Sequence, residues 1–119
     1  MYDIPETQEF SGLLGKELQQ VCIGNNEVIF NFDSDFSLCV MGPFEHIKSG
    51  SEVFDYTDLL TKPSSLPSLL NSSIFEVKKE NNDYLLLCFQ NNEKLRLIND
   101  TDQYECFSLN IDGNIILVV

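Results

Sequence analysis

The chain contains a single histidine, and a search for a catalytic or metal site begins with that residue. His46 stands between Glu45 and Ile47, in a middle segment without a regular pattern of apolar residues. An imidazole can activate a serine or cysteine nucleophile, or it can bind a metal ion. No catalytic signature surrounds any serine or cysteine, and one histidine cannot form a multi-histidine metal site. We therefore expect a structural or surface role for His46, no catalytic residue and no enzymatic activity.

Two short acidic segments, Asp33-Ser34-Asp35 and Asp100-Thr101-Asp102, place carboxylates two residues apart. Carboxylates at this spacing supply the first ligands of a calcium-binding loop. The other ligands, including the later bidentate glutamate, are missing at the required spacing. Aspartate also hydrogen-bonds its own backbone in turns, which explains both segments without an ion. A carboxylate pair for glycoside hydrolysis is no better supported, since the chain has no tryptophan to stack on a sugar. We expect no metal and no cofactor.

Negative charge is the most unusual feature of the composition. Nineteen acidic and seven basic side chains give a formal net charge of −12 at pH 7. Such a field repels nucleic acid and anionic membranes and attracts a basic protein. The only basic doublet, Lys78-Lys79, is too small for a nucleic-acid footprint and is typical of a solvated strand face. The predicted partner is therefore a basic protein. The alternative is that the charge serves solubility alone.

The cysteines indicate a reducing compartment. The four cysteines form no Cys-x-x-Cys pair, and Asp3, Glu6 and Glu9 interrupt any secretory apolar segment after Met1. We therefore expect free thiols and a cytoplasmic location, with disulfide pairing as the alternative. No run of about 18 apolar residues is present, so no membrane span is expected.

Aromatic rings alternate with acids in the segment 42–62, where Phe54 and Tyr56 lie close to several carboxylates. Rings supply buried area at protein interfaces, and acids steer a basic partner. The predicted partner-binding residues are Asp33, Asp35, Glu52, Phe54, Asp55, Tyr56 and Asp58. The alternative is that Phe44 and Phe54 fill the sheet while the acids face water.

Most of the chain has the pattern of β-structure. Val28–Phe32 and Phe36–Val40 alternate apolar and polar residues on either side of the turn Asp33-Ser34-Asp35, which is typical of a hairpin with one buried face. Asp112-Gly113, between two further β-forming runs, predicts a second hairpin near the C-terminus. The final strand is apolar on both faces, so we expect it at the centre of a sheet or covered on both sides.

The sequence also contains an internal repeat. Leu13-Leu14-Gly15 corresponds to Leu69-Leu70-Asn71, and the alternating strands of the first hairpin correspond to Leu85–Phe89 and Leu95–Leu97. Each unit predicts a short helix or turn followed by a three-stranded meander. Chance similarity between two meanders is the alternative.

These patterns predict one domain over residues 1–119. It is mainly β, with two repeated antiparallel meanders that form a sandwich or a partly open barrel, and one or two short helices. The repeat covers about 13–41 and 69–98. An irregular connection covers 42–66, and the C-terminal hairpin covers 104–119.

The two ends of the chain resemble a family of small bacterial β-domains. The resemblance lies in Gly15-Lys16, Val21–Gly24 and Val28–Phe32 at the start, and in Asp100 and Tyr104-Glu105 before the terminal strand. In size and acidity such domains are similar to immunity proteins of polymorphic toxin and contact-dependent growth inhibition systems. The resemblance implies a protein that neutralises a cognate, basic toxin by stoichiometric occlusion, and it carries over no catalytic residue. A small-ligand-binding β-barrel and a hydrolase are the alternatives.

Overall fold

The computed structural model of the protein describes residues 6–24, 27–33, 35–48, 53–56, 65–81, 83–99, 107–111 and 114–118. Two short 3₁₀-helices, η1 (Thr7–Leu13) and η2 (Leu66–Leu69), accompany ten strands. The strands are β1 (Leu18–Ile23), β2 (Val28–Phe32), β3 (Phe36–Val40), β4 (Phe44–Ile47), β5 (Val53–Tyr56), β6 (Ile74–Glu80), β7 (Tyr84–Phe89), β8 (Lys94–Ile98), β9 (Phe107–Ile111) and β10 (Asn114–Val118).

The strands form two antiparallel sheets. Sheet 1 has the order β1-β2-β3-β9-β10, and sheet 2 has the order β5-β4-β8-β7-β6. The predicted mainly β fold is confirmed, and the sheets pack as a sandwich without closing into a barrel. Alternating apolar residues of both sheets meet in the interior, where Phe30 of sheet 1 contacts Phe44 of sheet 2 edge to face at 6.0 Å between ring centroids.

The two halves of the chain have the same order of elements. The unit η1-β1-β2-β3 corresponds to η2-β6-β7-β8, and each unit continues into a hairpin that joins the other unit's sheet. Thus β4–β5 extends sheet 2 beside β8, and β9–β10 extends sheet 1 beside β3. We predicted an irregular connection over 42–66. The described residues there instead form β4 and β5, the counterparts of β9 and β10.

The starts of β1 and β6 join the two units directly. They pair antiparallel through a bridge between Glu17 and Ser73. The Gly15 N–H donates to the carbonyl of the first residue of β6 (2.7 Å), and the Asn71 N–H donates to that of the first residue of β1 (2.8 Å). These bonds are reciprocal, as expected for two units related by an approximate two-fold axis near Glu17 and Ser73.

The interior is filled by side chains from all parts of this arrangement. Phe10 of η1 and Leu66 of η2 occupy equivalent places, and both are fully buried. The strands add further fully buried side chains, among them Leu18, Val28, Phe30, Leu38, Phe44, Ile74, Leu85, Leu87, Phe89, Leu95 and Leu97. Burying each such side chain contributes on the order of 2 kcal/mol, so this shared core holds both sheets together.

The position of β10 differs from the prediction. We expected the C-terminal strand at the centre of a sheet or covered on both sides. The central position is wrong, because β10 is the last strand of sheet 1 and pairs with β9 among the described strands, and coverage of its two faces concerns side chains outside the described part of the chain. An apolar sequence alone does not distinguish a central strand from the last strand of a sheet. In the described residues, no helix is long and apolar enough to cross a membrane.

The junction between the units gives a first test. Gly15 and Asn71 both have left-handed backbones, with φ of 81° and 68°. A Cβ at Gly15 would meet no atom within 4 Å, so the substitution Gly15→Ala adds backbone strain without a clash. We expect it to lower the free energy of unfolding by about 1–2 kcal/mol in urea titrations.

Asn71→Gly is the matched control at the equivalent position. It keeps the left-handed backbone accessible, so we expect a change within about 0.5 kcal/mol. Equal losses for both variants would contradict the assigned backbone geometry.

Candidate functional site

The predicted partner-binding residues are divided between the surface and the interior. Asp35 is exposed at the tip of the β2–β3 hairpin, and Asp33 is half-buried beside it. Asp55 lies on β5 opposite Glu45, with its side chain outside the described part of the chain. Glu52 and Asp58 lie outside the described residues.

The two predicted aromatic contacts point inward. Phe54 is half-buried and lies opposite His46, and the Lys48 amine is 5.9 Å from the centre of its ring. Tyr56 is only 4% exposed, and its ring packs 5.2 Å from that of Phe44. The expectation that Tyr56 offers its ring to a partner is therefore corrected, because β5 pairs with β4 in a register that turns this side chain into the core.

The hairpin tip has one unusual polar atom. The Asp33 N–H donates to the carbonyl of Glu17 (3.1 Å), which ties the tip to the start of β1. Among the described residues, the Oδ1 atom of Asp33 is buried and has no hydrogen-bond partner. Asp35 has a left-handed backbone with φ of 62°. A buried acceptor without a donor is costly, so the conformation of this tip carries an energetic penalty.

The single histidine lies at the centre of a buried polar cluster. His46 projects from the inner face of β4 and has no exposed surface. Its Nε2 is 2.6 Å from Glu93 Oε1, and its Nδ1 is 2.8 Å from Ser65 Oγ. Ser65 Oγ also contacts the Tyr56 hydroxyl, and Ser68 Oγ donates to Glu93 Oε1 (2.7 Å). We call His46, Ser65, Glu93, Ser68 and Tyr56 the polar cluster.

One tautomer of His46 satisfies these contacts. Nε2–H donates to the Glu93 carboxylate, while Nδ1 accepts the Ser65 hydroxyl proton and Tyr56 O–H donates to Ser65 Oγ. The backbone N–H of Ser65 donates in turn to the Tyr56 oxygen (3.2 Å). Burial lowers the pKa of His46, an effect opposed in part by the hydrogen bond and charge of Glu93. The ring is therefore neutral at pH 7, as this donor order requires.

Local structure around the β7–β8 turn holds Glu93 in place. The Glu93 N–H donates to Asn91 Oδ1 (3.0 Å), and the Glu93 carbonyl accepts from the Phe89 N–H (2.9 Å). Asn91 Nδ2 donates to the carbonyl of Ser68 (3.0 Å), which fixes η2 against the same turn. The carboxylate is therefore positioned by backbone bonds that do not depend on His46.

The internal duplication provides a comparison for the polar cluster. His46 is the third residue of β4, and Leu109 is the third residue of β9. Each lies opposite a buried leucine of the neighbouring strand, Leu95 and Leu38 respectively. The position that holds a histidine in one half therefore holds a buried leucine in the other.

The neighbours of these two positions differ in the same way. Two residues before Leu95 stands Glu93, and two residues before Leu38 stands Phe36. Ser68 of η2 contacts Glu93, and the equivalent Gly12 of η1 lies against the Phe36 ring, where a Cβ would come within 3.0 Å. The same fold thus accepts leucine, phenylalanine and glycine on one side of the approximate two-fold axis, where the other side has a buried histidine, glutamate and serine. Packing alone does not require the polar cluster.

The polar cluster was only partly visible in the sequence. Ser65 and Glu93 are 19 and 47 residues from His46, and no local motif marks either of them. In the cluster, the Ser65 hydroxyl is hydrogen-bonded to the His46 imidazole, and the Glu93 carboxylate orients that imidazole. In the described part of the chain, no group of three or more His, Cys, Asp or Glu side chains could hold a metal ion.

Comparison of the chain with protein-family models, curated proteins and solved structures finds no match. The resemblance to bacterial immunity domains stays a prediction.

The comparison between the two halves can be tested by transplanting residues. We expect the variant His46→Leu, Glu93→Phe, Ser68→Gly to fold, with a free energy of unfolding at pH 7.5 equal to that of the original chain or up to about 4 kcal/mol higher. The single variant His46→Leu is the control. It leaves the Glu93 carboxylate buried without its main partner, so we expect a loss of about 3–5 kcal/mol. A triple variant as unstable as the single one would contradict the equivalence of the two positions.

The cluster also predicts the sign of a pH effect. The unfolded chain protonates His46 near pH 6.5, whereas burial lowers that pKa in the folded protein. The unfolded state therefore binds more protons than the folded state below about pH 6.5. The free energy of unfolding decreases as the pH is lowered from about 6.5 to the folded-state pKa, by at most about 1.4 kcal/mol per pH unit. Urea titrations at pH 7.5, 6.5 and 5.5 would measure this fall. The triple variant has no histidine, so we expect its stability not to decrease over this pH range. An equal decrease in the original chain and in the triple variant would exclude His46 as the cause.

Proposed function

We propose that this chain is a binding protein of the cytoplasm, an immunity protein that neutralises a basic cognate toxin by stoichiometric occlusion. The observation that carries the proposal is the location of the negative charge. Sheet 1 has no charged residue in its strands. Sheet 2 has four acids (Glu45, Asp55, Glu76, Glu80) and four bases (Lys78, Lys79, Lys94, Arg96).

The strands are therefore neutral in sum, and the whole charge of −12 belongs to the segments between and around them. Connecting segments form the ends of a β-sandwich, and such segments commonly carry binding function. An excess of acids in such segments raises the rate of encounter with a basic surface.

The β2–β3 tip is the best supported contact. Asp35 is exposed and Asp33 is half-buried beside it, so the tip offers a carboxylate to which a lysine or arginine of the partner can bind. Glu52, Asp55 and Asp58 belong to the proposed surface by charge alone. Phe54 and Tyr56 support β5 from inside, so their contribution to the partner surface is indirect.

The most direct experiment uses the protein encoded by the adjacent reading frame. We expect the two proteins to co-purify in a one-to-one complex, and expression of this chain to protect cells from the neighbour's toxicity. Absence of both protection and complex would refute the proposal.

A charge reversal then locates the surface. We expect Asp35→Lys to slow association by about fivefold at low salt, because the basic partner meets a like charge at the tip. Asp83→Lys makes the same change in net charge in the β6–β7 turn, and we expect a smaller effect there. Stopped-flow association at 20 and 200 mM salt would measure both variants, and identical rates for the two would place the partner elsewhere.

The polar cluster favours a second candidate function, acyl transfer at Ser65. Its oxygen would attack an ester carbonyl while His46 Nδ1 takes the hydroxyl proton and returns it to the leaving alcohol, and water would then release the acid. Ser65 is half-buried, whereas His46 is fully buried. The small-ligand barrel is less favoured, since the sheets stay open and side chains fill the interior between them.

A fluorophosphonate reagent tests this second candidate, because it labels serines that a histidine activates. Acyl transfer predicts labelling that Ser65→Ala abolishes and Ser68→Ala retains, since Ser68 contacts the carboxylate and not the imidazole. Absence of labelling at millimolar reagent in the folded protein would exclude the candidate.

A further inference from the structure

Two of the strand pairings in this fold have a competitor that is closer in the sequence. In the structure, β9 pairs with β3 and β4 pairs with β8. The hairpins β4–β5 and β9–β10 are counterparts, so each has the alternative of pairing with the strand that precedes it in the chain. Sheet 1 would then have the order β1-β2-β3-β4-β5, and sheet 2 the order β6-β7-β8-β9-β10. We call the observed order the crossed arrangement and this alternative the sequential arrangement.

The register of the sheets makes the sequential arrangement geometrically feasible. Val40, the last residue of β3, stands opposite Phe107, the first residue of β9. If Phe44, the first residue of β4, took the place of Phe107, residues 41–43 would form a three-residue hairpin loop, which is a common length. On the other sheet, Phe107 would take the place of Phe44 opposite Leu97, and residues 98–106 would span the connection.

The connectivity of the chain favours the sequential arrangement. Strands that are consecutive in the sequence are neighbours in about two-thirds of cases. A short loop costs less conformational entropy to close than a long one, and pairings between nearby segments form faster than distant ones. A chain built from two similar units therefore requires a feature that gives the crossed arrangement the lower free energy.

The polar cluster distinguishes the two arrangements at His46. In the crossed arrangement, the Nε2 atom of His46 is 2.6 Å from Glu93 Oε1. In the sequential arrangement, β4 would lie beside β3, where Phe36 occupies the place of Glu93. The buried imidazole would lose the carboxylate that accepts its hydrogen bond. Glu9 corresponds to Ser65 in the repeat, and its side chain lies outside the described residues.

The carboxylate of the cluster would be mismatched in the same exchange. Glu93 is 8% exposed, and in the sequential arrangement Leu109 would take the place of His46 beside it. A buried charge that loses its main partner is strongly destabilising. Both mismatches arise together, because each hairpin leaves the place that the other one takes.

A second feature opposes the sequential arrangement at the β3–β4 loop. The usual three-residue hairpin loop has a left-handed third residue, typically glycine. The third residue here is Pro43, whose ring fixes φ at about −65° and excludes that conformation. The sequence between β8 and β9 contains no proline. On that side, the polar cluster is the feature that separates the two arrangements.

We propose that the polar cluster selects the crossed arrangement, because it makes each hairpin compatible with the sheet of the other unit and incompatible with its own. In coiled coils, one buried asparagine similarly fixes the register of the helices at a cost in stability. This role explains why the cluster is present although apolar residues fill the equivalent positions across the approximate two-fold axis. It concerns the fold of the chain alone and does not depend on toxin binding.

The test uses variants without Pro43, so that the loop no longer opposes the exchange. Pro43→Gly is the control, and we expect it to keep the crossed arrangement because its polar cluster is intact. Addition of His46→Leu, Glu93→Phe and Ser68→Gly makes the two hairpins alike at these positions. In this quadruple variant we expect both arrangements, with at least about a tenth of the molecules in the sequential one.

NMR spectra of the isotopically labelled chains would separate the two arrangements. The crossed arrangement gives nuclear Overhauser effects between backbone protons of β4 and β8, and the sequential arrangement gives them between β4 and β3. A mixture also doubles the amide signals of these strands. One set of signals in the quadruple variant would overturn the proposal. Two sets in Pro43→Gly alone would also overturn it, because the intact cluster would then have failed to select one arrangement.

A second variant moves the histidine to the other hairpin. Pro43→Gly combined with His46→Leu and Leu109→His keeps Glu93 beside β8 but carries the imidazole on β9. Only the sequential arrangement then brings the imidazole to Glu93, so we expect nuclear Overhauser effects between β4 and β3 to dominate. Retention of the crossed arrangement as the main species would overturn the proposal. Loss of the β-sheet signal in circular dichroism would overturn it as well, because the sequential arrangement would then be inaccessible to the chain.

Discussion

The structure depends on the reciprocal pairing between the starts of β1 and β6. Neither unit of the repeat buries its apolar faces alone, because each sends its last hairpin into the other unit's sheet. The bridge between Glu17 and Ser73 fixes how the units face each other, and the exchanged hairpins then complete both sheets. Core side chains such as Phe30 and Phe44 can meet across the interior only in this arrangement.

An approximate symmetry of this kind makes the exceptions informative. Where the two halves carry the same type of residue, such as Phe10 and Leu66, the fold explains the choice. Where the two halves differ in polarity, the fold does not explain the choice of residue. The polar cluster replaces apolar packing on one side of the approximate two-fold axis only. This difference therefore has a cause other than the packing needs of the fold.

Much of the architecture follows from local patterns in the sequence. The alternation in Val28–Phe32 and Phe36–Val40 predicts the hairpin because one face is buried, and the repeat predicts two similar units. The strand order is less accessible, since β9 reaches β3 only through contacts between distant parts of the chain. The apolar sequence of β10 does not identify its neighbours in the sheet, which is why the last strand of sheet 1 resembled a central one.

The candidate site shows a similar division between local and distant information. Exposure of Asp35 follows from its place in a short polar turn. The inward direction of Tyr56 depends on the register between β5 and β4, and its segment gives no signal of that register. The segment around His46 gives no signal of the cluster because Ser65 and Glu93 are 19 and 47 residues away in the sequence.

Native-state hydrogen exchange at the junction tests this account most directly. The amides of Gly15, Leu18, Asn71 and Ile74 form the four reciprocal bonds between the units. If the pairing holds the structure together, all four exchange only through global unfolding, with one free energy that equals the value from urea titration. Exchange of one pair at a much lower free energy than the other would show that the units open separately, and it would contradict the account.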